Sequence, residues 1–467
     1  MDEYDLIVLG GGTGNIVASE ASEEGLDVAL VERDRLGGTC LNRGCNPSKR
    51  LIHSANVAET VRNAEQFGVD ASIDDVAFED VVDGVAETMA ELAESKGERA
   101  RENDRLTFYQ TEGRFVDAHT IEVSGGDGTG GEQISADRIV LAGGSRPMVP
   151  GSIDGTDRVD FLTSTDVLTG DVDELPDRLV IVGGGYIAVE MGHFFTQMGS
   201  DVTIVGHGET LVNREDTDIA QQVTEAYRKE HDLRLGYTVT ELAKDGGEKR
   251  VIAESESGEE ITVSGDELLV ATGRQPNSDL WNVSAAGIET DEKGFVETDE
   301  YLRTSVEGVW AIGDIAGNYM FKHSGDKEAE YVVENAVRGN EREVSYPGMA
   351  HAIFGSPEVG SLGKTEGEID EDTEYDVGTY SYEEQALGGG IDNKGGFAKA
   401  IVADDGEVLG VHVVGPEASS LIHEVSTAVA AGADATTIAE TIHVHPALSE
   451  VVQGAFREIV DVSASGI

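Results

Sequence analysis

Short apolar runs that end at or just before a glycine punctuate the chain: Leu6–Leu9, Ile139–Ala142, Leu179–Val182 and Leu268–Ala271. Each has the length of a strand and falls far short of the ~20 residues needed to cross a bilayer. Two of them open strand–glycine–helix units of the same grammar, about 170 residues apart. The first continues through Gly10, Gly12 and Gly14 into a helix over Val17–Glu24 and a strand Val28–Val31 that stops at Glu32. The second continues through Gly183, Gly185 and Ala188 into a helix reaching Phe195 and a strand Val202–Val205. The other two runs are read as strands returning the chain across each unit. Residues 125–131 and the turn Lys244–Gly247 are read as exposed hairpin tips. After about Pro347 the pattern changes to strand-like Phe397–Val402 and Val408–Val414, then a helix Ser419–Ala431, with no glycine loop. The expected class is α/β: two related nucleotide-binding domains and a C-terminal α+β domain, which suits 467 residues at ~150 per domain.

Charge narrows the partners. Asp and Glu number 91 against 33 Lys and Arg, a net −58 spread along the whole chain. Nucleic acid and anionic membranes are repelled by such a surface, and a substrate-steering field would need a local patch of opposite sign. The composition reads as a solvated surface adapted to a salt-rich cytoplasm: a Debye length of roughly 3 Å at 1 M salt removes self-repulsion that roughly 8 Å at 0.15 M does not. The first strand begins a few residues after Met1, with no room for a secretory signal, so a soluble, cytoplasmic protein is expected.

Only two cysteines occur, both within Gly37-Gly38-Thr39-Cys40-Leu41-Asn42-Arg43-Gly44-Cys45-Asn46-Pro47-Ser48-Lys49. Structural disulfides are rare in the cytoplasm, so Cys40 and Cys45 are read as a redox or catalytic pair. In one regular helix they would be about 7.5 Å apart in rise and point to different faces, too far to bond. Bonding requires an irregular turn, which Gly37, Gly38 and Gly44 permit. Pro47 suits the first turn of a following helix, with Cys45 at its N-terminus, an environment that lowers a thiol pKa.

Both glycine loops follow a strand and open a helix, the context in which such a motif cradles a pyrophosphate. Glu32 lies where a carboxylate accepts adenosine ribose hydroxyls. Asn15 stands at the third glycine position, a departure expected to loosen helix–strand packing slightly. In the second copy the position of the ribose acid is Gly206, followed by His207. A carboxylate there would repel a 2′-phosphate, so its absence favours NADPH over NADH, with His207, Asn213 and Arg214 as phosphate partners and Glu209 nearby as a counter-indication. Near the C-terminus, His445 precedes Glu450 by five residues, a spacing that lets a carboxylate fix an imidazole tautomer for proton exchange with a thiolate. Alone, this histidine also fits an ordinary surface or core role. A zinc site at His443 and His445 lacks further ligands, and no metal is expected.

Five motifs in order resemble the glutathione reductase and dihydrolipoamide dehydrogenase family of flavoprotein disulfide oxidoreductases: the first glycine loop, the Cys40–Cys45 segment, residues 183–190, Ala311-Ile312-Gly313-Asp314, and His445-Pro446. The likeness spans nearly the whole chain. It implies an FAD-binding domain in two parts, 1–148 and 274–345, using Gly10, Gly12, Gly14, Glu32, Gly38, Thr39, Lys49, Gly143 and Asp314. It implies an NAD(P)-binding domain over 149–273 using Gly183, Gly185, Tyr186, Ala188, His207, Arg214 and Gly273, and a dimerisation domain over 346–467. Lys49 is expected to pair with Glu190 beside flavin N5, Asp314 to bond the ribityl or phosphate region, and Tyr186 to cover the nicotinamide pocket. The implied relay runs from NADPH through FAD to Cys45. Cys40, nearer the outside, attacks the substrate disulfide, and His445 of the partner subunit, oriented by Glu450, protonates the leaving thiol. Such sharing of the site requires a homodimer.

The resemblance leaves two substrates. Mercuric reductases and large thioredoxin reductases need an additional cysteine pair that this chain lacks. Dihydrolipoamide dehydrogenases, mostly NAD-dependent components of 2-oxoacid dehydrogenase complexes, are similar through Cys40–Cys45 and Pro47-Ser48-Lys49. Reductases of low-molecular-weight thiol disulfides, mycothione reductases among them, are similar through Gly185–Glu190, Gly12–Asn15 and Lys322-His323. In salt-adapted archaea the corresponding thiol is γ-glutamylcysteine, so bis-γ-glutamylcystine is the expected substrate. Asn46 departs from both groups and is expected near substrate; Arg43 is placed to meet a substrate carboxylate or to serve as an ordinary surface arginine.

Overall fold

The computed structural model describes residues 1–124 and 131–460. The hairpin tip expected at 125–131 lies, but for Gly131, outside them.

The strand Leu6–Leu9 sits in the middle of a five-stranded parallel sheet in the order Val309–Ala311, Ile139–Leu141, Leu6–Leu9, Val28–Val31, Leu106–Tyr109. Its run is apolar throughout because both faces are covered. Leu6 and Val8 pack toward the helices Gly14–Glu23 and Lys322–Val332. Ile7 and Leu9 face a second layer, in which Asp2–Tyr4, Glu132–Ala136, Thr120–Val123 and Gly113–Phe115 form a small sheet. The expected loosening at Asn15 does not occur. Gly14 is the buried residue there, and a Cβ on it would lie 2.8 Å from Val8 Cγ1 and 2.9 Å from the Ala142 Cβ, so it supplies the close approach.

The second unit repeats the scheme. Leu162–Thr163, Glu267–Val270, Arg178–Val182, Asp201–Gly206 and Asp232–Leu235 form a parallel sheet. Leu179 and Ile181 pack toward the helix Tyr186–Met198, and Val180 and Val182 toward an antiparallel meander Tyr237–Asp245, Glu248–Ser255, Glu260–Gly265. The tip at Lys244–Gly247 turns between the first two of these strands, with Gly246 at φ 63°. The chain leaves the first unit along Ser145–Pro147 and re-enters along Arg274–Pro276, which pair antiparallel.

The C-terminal domain is a five-stranded antiparallel sheet in the order Ala350–Ile353, Val359–Gly363, Val408–Val414, Phe397–Ala403, Tyr375–Ser381, covered by the helices Ala418–Ala430, Ala435–Glu440 and Glu450–Arg457. Two of its lysines reach the nucleotide units. Lys394 contacts Glu59 at 2.5 Å and Glu230 at 3.3 Å, and Lys399 lies among Asp216, Asp218 and Glu366.

Candidate active site

Positive φ at Gly37 (112°) and Gly38 (58°) folds the chain back before Cys40. The chain then forms a short helix Gly38–Arg43, breaks at Gly44, and enters a long helix beginning at Cys45. The irregularity is therefore confined to one residue: a Cβ on Gly44 would sit 2.7 Å from the Thr39 carbonyl oxygen. That break brings the two cysteines together, close enough for the Cys40 thiol to act on the ionisation of the Cys45 sulfur. Cys40 Sγ also lies 3.6 Å from Asn46 Oδ1. Neither cysteine is fully enclosed, so burial does not rank the two. Their charges separate them instead. The S–H donated by Cys40, helped by the Lys49 ammonium, outweighs burial and holds Cys45 at about 7. The same hydrogen bond, with burial, pushes Cys40 well above the usual thiol range, and Lys322 and Asp326 are the charges nearest it. Arg43 is paired with Asp34 at 2.5 Å, so its guanidinium is already engaged.

One turn into that helix, Lys49 Nζ contacts both oxygens of Glu190, at 2.6 and 2.8 Å. Glu190 is buried in the helix Tyr186–Met198 and accepts a further bond from the Phe354 amide at 3.1 Å, while the Lys49 ammonium lies 4.5 Å from the Phe354 ring centroid. The expected pair thus joins all three domains. Phe354 carries no sequence signal, because its part is played by a backbone amide and a ring face.

The first glycine loop has the form of an anion cradle. Gly10 has φ 104°, with the Ala142 carbonyl where a Cβ would lie, and Gly38 packs directly on Gly12. Among the described residues the amides of Gly12, Thr13 and Gly14 have no hydrogen-bond partner, which suits a pyrophosphate at this helix end. Glu32 accepts from the amides of Gly11 at 2.8 Å and Asp34 at 2.9 Å, bracing the loop from the end of the neighbouring strand. Thr39 shows no side-chain hydrogen bond among the described residues. Gly143 gives its carbonyl to Asn277 and Trp281, and its missing Cβ leaves room for that indole. Asp314 accepts from Ser145 Oγ at 2.5 Å with Arg274 Nε 3.8 Å away; burial raises its pKa against both partners. Its backbone is set by Glu328, which accepts from the Gly313 amide and the Tyr346 hydroxyl, both at 2.6 Å. Ser145, Arg274 and Glu328 escape sequence reasoning, since nothing in local spacing marks partners so distant in the chain.

In the second loop Gly183 has φ 126°, Gly185 has open space around its Cβ position, and Ala188 is fully buried. The amides of Gly185, Tyr186 and Ile187 have no partner among the described residues. Tyr186 begins the helix and is half-exposed. Gly273, at φ 119°, accepts from the Met148 amide where the two units join. Gly206 ends its strand beside Gly184, while His207, Glu209, Asn213 and Arg214 are exposed on the following loop. The Glu209 carboxylate lies against Gly236, beyond the end of the next strand over.

His445 Nδ1 lies 2.9 Å from Glu450 Oε1, whose other oxygen accepts from the Ala447 amide at 3.0 Å. Burial opposes ionisation of Glu450, yet these two bonds hold its pKa below the usual range. His443 is engaged separately, with Glu424 at 3.2 Å, and that bond raises its pKa. His445 makes no contact with either cysteine of its own chain among the described residues. It is flanked by bare apolar side chains, Ile442 at 96 % and Val444 at 75 % exposure. Among the described residues no group of three or more His, Cys, Asp or Glu is arranged to hold a metal, and no helix is long and apolar enough to cross a membrane.

Two nucleotide cradles flanking a dithiol, with a histidine–carboxylate pair on a separate domain, define a nucleotide-linked thiol–disulfide oxidoreductase. The chain belongs to the pyridine nucleotide-disulphide oxidoreductases: that family's model matches residues 4–338, and the model of its dimerisation domain matches residues 349–456. It is similar to a dihydrolipoyl dehydrogenase of Halobacterium salinarum, 37 % identical over 97 % of this chain and 95 % of the relative. It is also similar to a mycothione reductase of Mycobacterium tuberculosis, 35 % identical over 97 % and 99 %. Among solved structures it resembles RclA, an HOCl-induced flavoprotein disulfide reductase of Escherichia coli, with a TM-score of 0.85 at 26 % identity over 98 % of this chain and 99 % of that one. The family is FAD-dependent and uses a pyridine nucleotide, so this protein is a flavoprotein disulfide oxidoreductase.

Proposed function

We propose that the protein is an NADPH-dependent reductase of a low-molecular-weight thiol disulfide, bis-γ-glutamylcystine, working as a cytoplasmic homodimer in a salt-rich cell. The observation that carries the cofactor reading is Gly206: no side chain stands at the end of the strand Asp201–Gly206, and the one nearby acid, Glu209, is turned against Gly236. His207, Asn213 and Arg214 remain exposed to meet a 2′-phosphate. The substrate reading is supported by similarity to a mycothione reductase over 97 % of the chain, and the salt-rich setting by haloarchaeal relatives and a net charge of −58.

The open amides of the first glycine loop, with Glu32, Gly38, Thr39, Gly143, Asp314 and the Lys49–Glu190 pair, would hold FAD, which when bound carries two electrons between nicotinamide and sulfur. Gly183, Gly185, Tyr186, Ala188, His207, Arg214 and Gly273 would hold NADPH. The chain's own groups then set the thiol chemistry. Cys45, at a helix N-terminus and beside Lys49, is kept as a thiolate near neutral pH. Cys40 loses its proton to His445 of the partner subunit and attacks one sulfur of the substrate. The substrate S–S bond breaks, a mixed disulfide forms, and the departing thiolate takes the proton back from the imidazolium. The Cys45 thiolate attacks the Cys40 sulfur, breaking the mixed disulfide, closing the Cys40–Cys45 bond and releasing the second half of the substrate as a thiolate, which takes its proton from solvent. Glu450 keeps the imidazole in one tautomer throughout.

Dihydrolipoamide dehydrogenase, as part of a 2-oxoacid dehydrogenase complex, is the second reading, favoured by the 37 % identity to the Halobacterium salinarum relative. Steady-state assays in molar salt, with bis-γ-glutamylcystine plus NADPH beside dihydrolipoamide plus NAD, separate the two. Preference for the first pair is expected; turnover of the second pair alone overturns the proposal.

A further inference from the structure

The loop after Gly206 is held at both ends. On one side the Val212 amide donates to the Gly184 carbonyl at 2.7 Å, tying the loop to the dinucleotide cradle. Val212 has φ 45°, a left-handed conformation that a β-branched residue adopts only when its surroundings impose it. On the other side the next residues run into the C-terminal domain. Glu215 accepts from His351 Nε2 at 2.8 Å and Ser361 Oγ at 2.6 Å. Asp216 accepts from Lys399 Nζ at 2.8 Å and the Glu366 amide at 3.0 Å. Both Lys399 and Asp216 are 1 % exposed.

Lys399 stands on the strand Phe397–Ala403 and is surrounded by three carboxylates, with Asp218 at 2.6 Å and Glu366 at 2.7 Å completing the set. A lysine withdrawn from water to this degree is stable only while its partners satisfy all three of its protons. The pairing therefore fixes Asp216, and through Asp216 the far end of the Gly206–Arg214 loop. Arg214 stands two residues from that anchor and Val212 four.

We propose that Lys399, acting through Asp216, is a positioning residue for this loop, and that the C-terminal domain thereby sets the discrimination between NADPH and NADH. Lys399 is buried among its three carboxylates, so its effect is exerted through Asp216. The inference rests on the NADPH reading above and adds to it a residue from a different domain, nearly 200 positions further along the chain. NADH has no 2′-phosphate for His207, Asn213 and Arg214 to meet, so release of the loop costs NADPH more than NADH.

The test compares wild type with Lys399→Met, Lys399→Arg and Asp218→Asn, each as FAD-loaded enzyme in molar salt, by measuring KM and kcat with NADPH and with NADH in the same preparation. Lys399→Met is expected to raise KM for NADPH about tenfold, the equivalent of one charge-assisted hydrogen bond, with kcat and the KM for NADH changed far less. Lys399→Arg should recover most of the loss. Asp218→Asn, which changes a half-exposed partner and spares the core, carries the comparison if Lys399→Met does not fold, and should move the same ratio in the same direction. Equal changes with both nucleotides, or none in a wild type that prefers NADPH, overturn the positioning role while leaving the cofactor reading standing. A wild type with no preference for NADPH sinks the cofactor reading itself and the inference with it.

Discussion

Lys49 and Glu190 lie 141 residues apart, yet the ammonium reaches both carboxylate oxygens within 2.8 Å. Glu190 is 4 % exposed, so removing its cation strands a buried charge. Lys49→Met is expected to destabilise the protein by about 3 kcal/mol, and adding Glu190→Gln to recover much of that. Urea unfolding at constant high salt measures both; a single variant as stable as wild type would mean that water already screens the pair.

Cys45 titrates near 7, below the ~8.5 of a free thiol, because Cys40 donates to its sulfur and Lys49 attracts its charge. In the reduced enzyme the thiolate therefore grows in as pH rises through about 7. Replacing Cys40 by Ala removes the donor, so the transition should move to higher pH. The long-wavelength thiolate–flavin absorbance reports it, and Cys45→Ser should abolish that band. Persistence of the band in Cys45→Ser would exchange the roles of the two sulfurs.

The His445–Glu450 pair makes no contact with the cysteines of its own chain among the described residues, and this favours catalysis across a dimer. His445→Gln should lower disulfide turnover by about 10²- to 10³-fold, the usual worth of a positioned acid–base. Co-expression of Cys45→Ser chains with His445→Ala chains should restore about a quarter of wild-type turnover by random assortment of subunits. Failure to complement would place both halves of the site in one chain.

Ile442 and Val444 flank His443 and His445 almost wholly exposed, on the domain whose family model is a dimerisation domain. Aspartate at both positions is expected to yield monomers by light scattering after size exclusion in molar salt. Dimers of undiminished stability would remove this segment from the interface.

Loss of secondary structure on dialysis into dilute buffer, monitored by far-UV circular dichroism, is expected from a net charge of −58. Retained structure and activity would argue against salt adaptation.

The legible part of the sequence is local. Each glycine loop announces itself within about fifteen residues of strand, turn and helix, and the two cysteines with their framing glycines form one continuous segment. Asn15 looks like a defect in the motif, although Gly14 next to it does the packing. Arg43 gives no hint of Asp34. Ser145 beneath Asp314, Glu328 behind Gly313 and the Phe354 amide on Glu190 are pairings made by the fold, and most of them join positions far beyond the reach of any spacing rule.

The lysines at the domain junctions divide the carboxylates of this protein into two populations. Those facing solvent repel one another and depend on mobile ions. Glu59 and Asp216 are neutralised by a resident ammonium and are indifferent to dissolved salt. A variant meant to work in dilute buffer should accordingly be sought by exchanging exposed acids for neutral or basic side chains, with the lysine-bridged junctions left as they are.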